Sequence, residues 1–146
     1  DKVHMRGFSF RHFEKAFRRL TGGDCTRVYG DSFRQDGDLI RDIGNNVTVV
    51  YEGMDFGAGA DAVTIWGNTP LPVNTIHLRF VPEDGEERRV IVEYPGGAQA
   101  VPGQGHTFPA EGFRGRGKIE LVFLPGSDFT LEAIEFKQGG QAYGRG

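Results

Sequence analysis

Four stretches of the chain alternate apolar and polar residues with a period of two, and this limits the fold more than any other feature. Val47, Val49 and Tyr51 alternate with Thr48 and Glu52; Ile76, Leu78 and Phe80 alternate with His77 and Arg79. Val90, Val92 and Tyr94 follow, then Ile119, Leu121 and Phe123. A period of two sends successive side chains to opposite sides of an extended backbone, so each run is a strand with one buried face. Turn chemistry separates the runs: Asp55-Phe56-Gly57-Ala58-Gly59, Gly67-Asn68-Thr69-Pro70, Glu83-Asp84-Gly85-Glu86, Pro95-Gly96-Gly97, Pro102-Gly103-Gln104-Gly105 and Pro125-Gly126-Ser127-Asp128. Glycine reaches the positive φ angles that tight turns demand, and the chain has 23 of them beside 12 phenylalanines suited to a pleated, half-buried surface. Short strands with almost no helix between them predict an antiparallel all-β sandwich or barrel.

One segment departs from this rhythm. Phe10, Phe13, Phe17 and Leu20 recur at helical spacing with Arg11, Lys15, Arg18 and Arg19 between them, which predicts a short N-terminal helical segment stopped by Thr21-Gly22-Gly23-Asp24. The expected organisation is one domain: a lead-in over residues 1–25, a sandwich over 26–138 and a frayed glycine-rich tail over 139–146. A chain of 146 residues buries enough core to need no disulfide, and Cys25, the one cysteine, is expected to be a small packed residue. The chain starts at Asp1 and is expected to be part of a longer protein.

The formal net charge is -3 with no long block of one sign, so neither nucleic acid nor an anionic membrane is an expected partner. No run of about 18 apolar residues is present to span a bilayer. His4, His12, His77 and His106 are scattered, and the chain has no nucleophile elbow, phosphate loop or cysteine-histidine cluster at zinc spacing. No catalytic residue is assigned. Asp31, Asp36 and Asp38 depart from calcium-loop spacing and are expected to form a solvated turn. Phe113-Arg114-Gly115-Arg116-Gly117-Lys118 is too short for an RNA-binding arginine-glycine stretch and is expected to be a basic turn ahead of a strand.

A sugar presents apolar C–H faces and a rim of hydroxyls, so its site pairs an exposed aromatic ring with a few fixed polar groups. Trp66, the one tryptophan, precedes Gly67-Asn68-Thr69-Pro70 and so has an amide near it. Burial in a sandwich core is the competing expectation for that indole. Phe33 and Tyr29, on either side of the acidic turn, are weaker candidates, with core packing expected for at least one.

Tyr51, Asp55, Phe56 and Gly57 form a Tyr-x-x-x-Asp-Phe-Gly turn, and Leu121, Phe123, Gly126, Phe129, Leu131, Glu132, Ile134 and Phe136 form a closing pattern. With the order of the segments between residues 26 and 137, these motifs resemble the C-terminal modules of bacterial glycoside hydrolase family 2 β-galactosidases and, more broadly, family 6 carbohydrate-binding modules. The resemblance implies a jelly-roll of two antiparallel sheets, a glycan ligand, neighbouring catalytic domains on the same parent chain, and a structural calcium ion. It places Thr130 where the family has a sugar-binding Asn, and Gly103-Gln104-Gly105-His106 where the family has a loop Trp. Trp66, Asn68, Gln104, His106, Thr130 and Phe33 are therefore the candidate sugar contacts, and Glu14 and Glu132 the candidate calcium carboxylates. The rival expectation is a structural sandwich that packs on the parent enzyme without binding sugar.

Overall fold

A computed structural model describes residues 16–97 and 105–138 of the chain. The strands are β1 (Leu20–Thr21), β2 (Arg27–Tyr29), β3 (Arg34–Asp36), β4 (Leu39–Ile43), β5 (Val47–Asp55) and β6 (Ala62–Asn68), followed by β7 (Val73–Pro82), β8 (Arg88–Pro95), β9 (Gly105–Pro109), β10 (Arg116–Phe123) and β11 (Phe129–Lys137). They form two sheets. One, here sheet A, has the order β3-β4-β11-β6-β9 with β1 also paired to β11; the other, sheet B, has the order β2-β5-β10-β7-β8. Every described pair is antiparallel. The result is a jelly-roll sandwich, as the alternation and the resemblance both lead one to expect.

The alternating positions face the side they were expected to face. Val47, Val49, Tyr51, Ile76, Leu78, Phe80, Val92, Tyr94, Ile119, Leu121 and Phe123 point from sheet B into the core, where Val63, Ile65, Phe129, Leu131, Ile134 and Phe136 meet them from sheet A. Phe56 is the hub of the aromatic part of this core, with ring centroids 4.9 Å from Phe136, 5.3 Å from Phe80 and 5.7 Å from Phe17. The turn that delivers it is local chemistry. Asp55 Oδ1 accepts the Gly57 N–H at 3.0 Å, Asp55 Oδ2 lies 3.3 Å from Arg116 Nε, and Gly57 adopts φ 56°.

Tyr94 ties the sheets together. It rises from β8 through the core, accepts the Gly67 N–H at 3.1 Å and directs its hydroxyl proton toward the carbonyls of Ile65 and Gly67, each at 3.1 Å. Among the described residues β9 pairs with β6 as far as Trp66 opposite Gly105, and the phenol serves Gly67 just past that pair. Burial pushes the Tyr94 phenol up to about 12, and that of Tyr51 further in the same direction.

Two expectations need correction. The helical spacing of Phe10, Phe13, Phe17 and Leu20 does not continue as a helix through Leu20: that residue starts β1 opposite Ile134, and the helical element among the described elements is a 3-10 turn at Gly22–Asp24. Pairing with β11 buries Leu20 at no cost in unpaired backbone, and this tertiary gain outweighs helix periodicity. Residues 10–15 of that expected segment, and the tail from 139, lie outside the described residues. Gly67 and Asn68, read as a turn, are the last residues of β6, and the turn begins at Thr69. Cys25 is half-buried against the core, and burial pushes its thiol up.

Candidate functional site: the outer faces of the sandwich

Strand parity determines what each sheet shows to the outside. On β6, Val63 and Ile65 face the core, so Thr64, Trp66 and Asn68 face outward from sheet A. Opposite them on β11 stand Glu135, Ala133 and Thr130 in register. The fold thus brings Trp66, Asn68 and Thr130 together on one face, with Asn68 and Thr130 directly paired. Glu132 joins them at a register shift between Leu131 and Ala133. The indole is half-buried. It lies against Gly105 of β9, where a Cβ would come 2.7 Å from Nε1, and the Arg19 guanidinium covers it at 4.2 Å from the ring centroid. Glycine at 105 leaves space for the ring, and Arg19 occupies the surface a sugar would use.

The other candidates go elsewhere. His106 sits opposite Ile65 on β9 and so turns toward the core edge, where its ring meets Tyr94 edge-on at 5.0 Å. Phe33 packs against the core from the loop between β2 and β3. Gln104 and Glu14 lie outside the described residues. Among the described residues no three His, Cys, Asp or Glu side chains come together to hold a metal ion. The acidic turn is internally used: Asp31 accepts from Asn46 at 3.1 Å and Asp36 from Arg41 Nε at 2.8 Å.

Sheet B presents a different outer face. Its inward residues are Val28, Val49, Leu121, Ile76, Leu78 and Val92, so a row of outward residues runs straight across five strands: Tyr29, Thr48, Val122, His77 and Ile91, each paired in register with the next. With strands about 4.8 Å apart, that row extends about 19 Å. Tyr29 is 49% exposed, Ile91 55% and Val73, on β7 about 13 Å along the strand from His77, 49%; these are the exposed large hydrophobic side chains among the described residues, and all three are on this face. A shallow hollow of about 240 Å³ lies at the loop end, bounded by Val73, Thr75, Leu124 and Ser127. Another of about 320 Å³ lies at the opposite end, bounded by Glu52, Val81 and Lys118.

The adjoining row consists of Arg27, Val50, Glu120, Arg79 and Arg89. Glu120 is buried yet charged-partnered, with Arg79 Nη1 and Lys118 Nζ each 3.3 Å from its carboxylate. Arg79 also grips Glu87 through two bonds of 3.0 Å, which raises the Arg79 pKa and lowers that of Glu87. Glu87 takes Arg89 as well, at 3.4 Å. Arg27 has instead the ring of its strand neighbour Tyr29, at 5.6 Å from the centroid.

At the loop end, Asn74 is buried and holds the turn before β11: its Oδ1 accepts the Asp128 N–H at 2.9 Å, and its Nδ2 donates to Ser127 Oγ at 3.3 Å. Its polar atoms are thus committed to structure.

No protein-family model and no curated sequence matches the chain. Solved structures do. A family 6 module of Clostridium stercorarium, determined in complex with cellobiose, aligns with a TM-score of 0.66 at 23% identity, over 85% of this chain and 95% of that one. The chain has the fold of the family 6 carbohydrate-binding modules. A family 6 module of Clostridium cellulolyticum in complex with xylose aligns at TM-score 0.65 and 20% identity, over 84% and 98%. The same fold makes up 27% of the aligned chain of a family 43 arabinoxylan arabinofuranohydrolase from Bacillus subtilis, at TM-score 0.66 and 18% identity over 84% of this chain.

Within the module fold, the row on sheet B was visible in the sequence only in pieces. Tyr29 was a weak candidate, His77 was read as a strand histidine on the sheet face opposite the core, and Ile91 and Val73 were not singled out. The available signal was a large apolar residue at an outward position of an alternating strand, as Ile91 is between Val90 and Val92.

Proposed function

We propose that the domain is a non-catalytic glycan-binding module that rests an oligosaccharide across the outer face of sheet B. One observation carries this reading: Tyr29, Val73 and Ile91, the exposed large hydrophobic side chains among the described residues, share one face, and hydroxyl and imidazole groups stand between them. The Tyr29 ring, 49% exposed and with the Arg27 guanidinium 5.6 Å from its centroid, offers apolar surface to the C–H face of a pyranose, while Thr48, Thr75 and His77 supply hydrogen-bonding groups. The fold shared with modules solved in complex with cellobiose and xylose supports the same class of ligand. Trp66, Asn68 and Thr130 make a smaller patch on the other sheet, with its indole beneath Arg19.

The parent chain in this proposal is a bacterial glycoside hydrolase of β-galactosidase type, the type the sequence motifs resemble. A weak site on such a chain acts by proximity, because tethering raises the concentration of substrate near the catalytic domain without any tight contact. The rival reading, an accessory sandwich that packs on the parent enzyme, draws on the same three apolar side chains, since a docking face also exposes them. Calorimetric titration with neutral galacto-, gluco- and xylo-oligosaccharides tests the choice. Saturable binding by the wild-type domain that is lost in Tyr29→Ala supports the module. Absence of heat with every sugar, at protein and ligand concentrations suited to millimolar affinity, refutes it in favour of the docking role.

A further inference from the structure

We propose that the sheet B face selects glycans bearing an anionic group, and that Arg27 is the residue that recognises it; this rests on the glycan-binding reading above. Charge is distributed unevenly over two neighbouring rows of this face. The Tyr29–Ile91 row carries no carboxylate, whereas the adjoining row presents guanidinium groups at Arg27, Arg79 and Arg89. Arg79 is consumed by Glu87 and Glu120, and Arg89 shares Glu87. Arg27 makes no ion pair among the described residues; its guanidinium lies 5.6 Å from the centroid of the Tyr29 ring, two residues along the same strand face. Across the whole face the four cations, Lys118 included, meet four carboxylates, Glu120, Glu87, Glu93 and Glu52, so the face is balanced and the cation without an ion pair among the described residues is a local feature, at Arg27. Of these carboxylates, Glu93 accepts from Thr75 at 2.8 Å at the far edge, and Glu52 stands two residues beyond Val50, the partner of Arg27.

The geometry suits an anion attached to a ring. A guanidinium held near an aromatic side chain keeps its in-plane N–H groups available at the edge, and a planar fork matches a carboxylate or sulfate through paired hydrogen bonds. A pyranose lying on Tyr29 would carry such a substituent toward Arg27, which is exposed and otherwise unpaired by charge among the described residues. A neutral sugar would stack equally well on the ring but leave that fork to water.

The test titrates the domain at low ionic strength with three probes of similar length: a neutral galacto-oligosaccharide, an oligogalacturonate carrying carboxylates, and a sulfated galactan oligosaccharide. The expected result is roughly tenfold tighter binding of one or both anionic probes than of the neutral one, a preference that shrinks as salt is raised. In Arg27→Gln the ratio of anionic to neutral affinity falls toward one, and Arg27→Lys restores it only in part because the paired geometry is lost. Carboxylate and sulfate are separated by which of the two probes shows the preference. Equal affinity for neutral and anionic probes, or an anionic preference that Arg27→Gln leaves intact, overturns the proposal while the module reading stands. Failure of all three probes while a gluco- or xylo-oligosaccharide binds overturns the proposal alone, and failure of those sugars as well removes the module reading itself. Thermal unfolding of both variants at the wild-type temperature excludes misfolding as the cause of any loss.

Discussion

Replacing Tyr94 by Phe removes one oxygen from the middle of the sandwich and should cost far more than one exposed hydroxyl. The ring is enclosed by His106, Phe108 and Phe129, with centroids at 5.0, 5.9 and 5.0 Å, and Phe keeps all of that packing. What goes is the partner of the Gly67 N–H and one donor to the carbonyls of Ile65 and Gly67. Gly67 is buried, no further β9 residue is paired there among the described residues, and a Cβ at this position would already lie 2.4 Å from the Thr130 carbonyl, so space for a rescuing water is small. An orphaned buried N–H costs about 1–3 kcal/mol. Taking about 2 kcal/mol and about 2–4 °C per kcal/mol for a domain near this size, the melting temperature should fall by about 4–8 °C. The pH dependence carries a second signature. The folded phenol is raised from 10.0 to about 12, so its contribution is fully present below pH 10 and is lost as pH rises toward 12; Tyr94→Phe should flatten part of that alkaline loss. Urea unfolding at pH 7 and at stepped alkaline pH measures both effects. A change under about 0.5 kcal/mol at pH 7 with an unaltered alkaline profile would refute the idea that the phenol completes the ladder.

Three further outcomes follow from the packing. Gly117→Ala places a Cβ 2.4 Å from the Val81 carbonyl and 2.7 Å from Pro82 Cα, both backbone, so unfolding experiments should show a loss of about 1–3 kcal/mol despite the better strand propensity of alanine. Phe56→Ala empties the hub of the aromatic cluster and should cost about 3–5 kcal/mol in the same assay; a smaller loss would mean that Phe17, Phe80, Phe113 and Phe136 collapse into the space. Burial raises the Cys25 thiol, so alkylation by iodoacetamide in native buffer should run slower than for the urea-unfolded chain at the same pH and rise on going alkaline; equal rates would contradict that burial.

The turn motif Tyr51, Asp55, Phe56 and Gly57 was legible because its physics is local: an Asp that accepts its own turn N–H, a glycine at positive φ and a phenylalanine delivered to the core. The candidate sugar contacts were legible only in part. Asn68 and Thr130 were picked separately and turn out to be paired across β6 and β11, while His106 was picked from a loop and turns to the other side of the sheet. A difference of one residue in strand register reverses the face of every side chain, and no short-range signal sets the register of a strand such as β9 against a partner about forty residues away.

The sequence by itself determined the class of fold and the side of the sheet on which most strand residues lie, because period two and turn chemistry act over a few residues. It also determined the charge balance and the absence of a familiar catalytic motif. Tertiary structure decided the rest. It made Leu20 a strand residue through Ile134, set Arg19 over Trp66, and aligned Tyr29, Thr48, Val122, His77 and Ile91 from five separate strands into one row. Those neighbours are 14 to 74 positions apart, counted from His77 to Ile91 and from Thr48 to Val122, so their adjacency is a property of long-range pairing, whose free energy is spread over whole strands rather than written in any one of them.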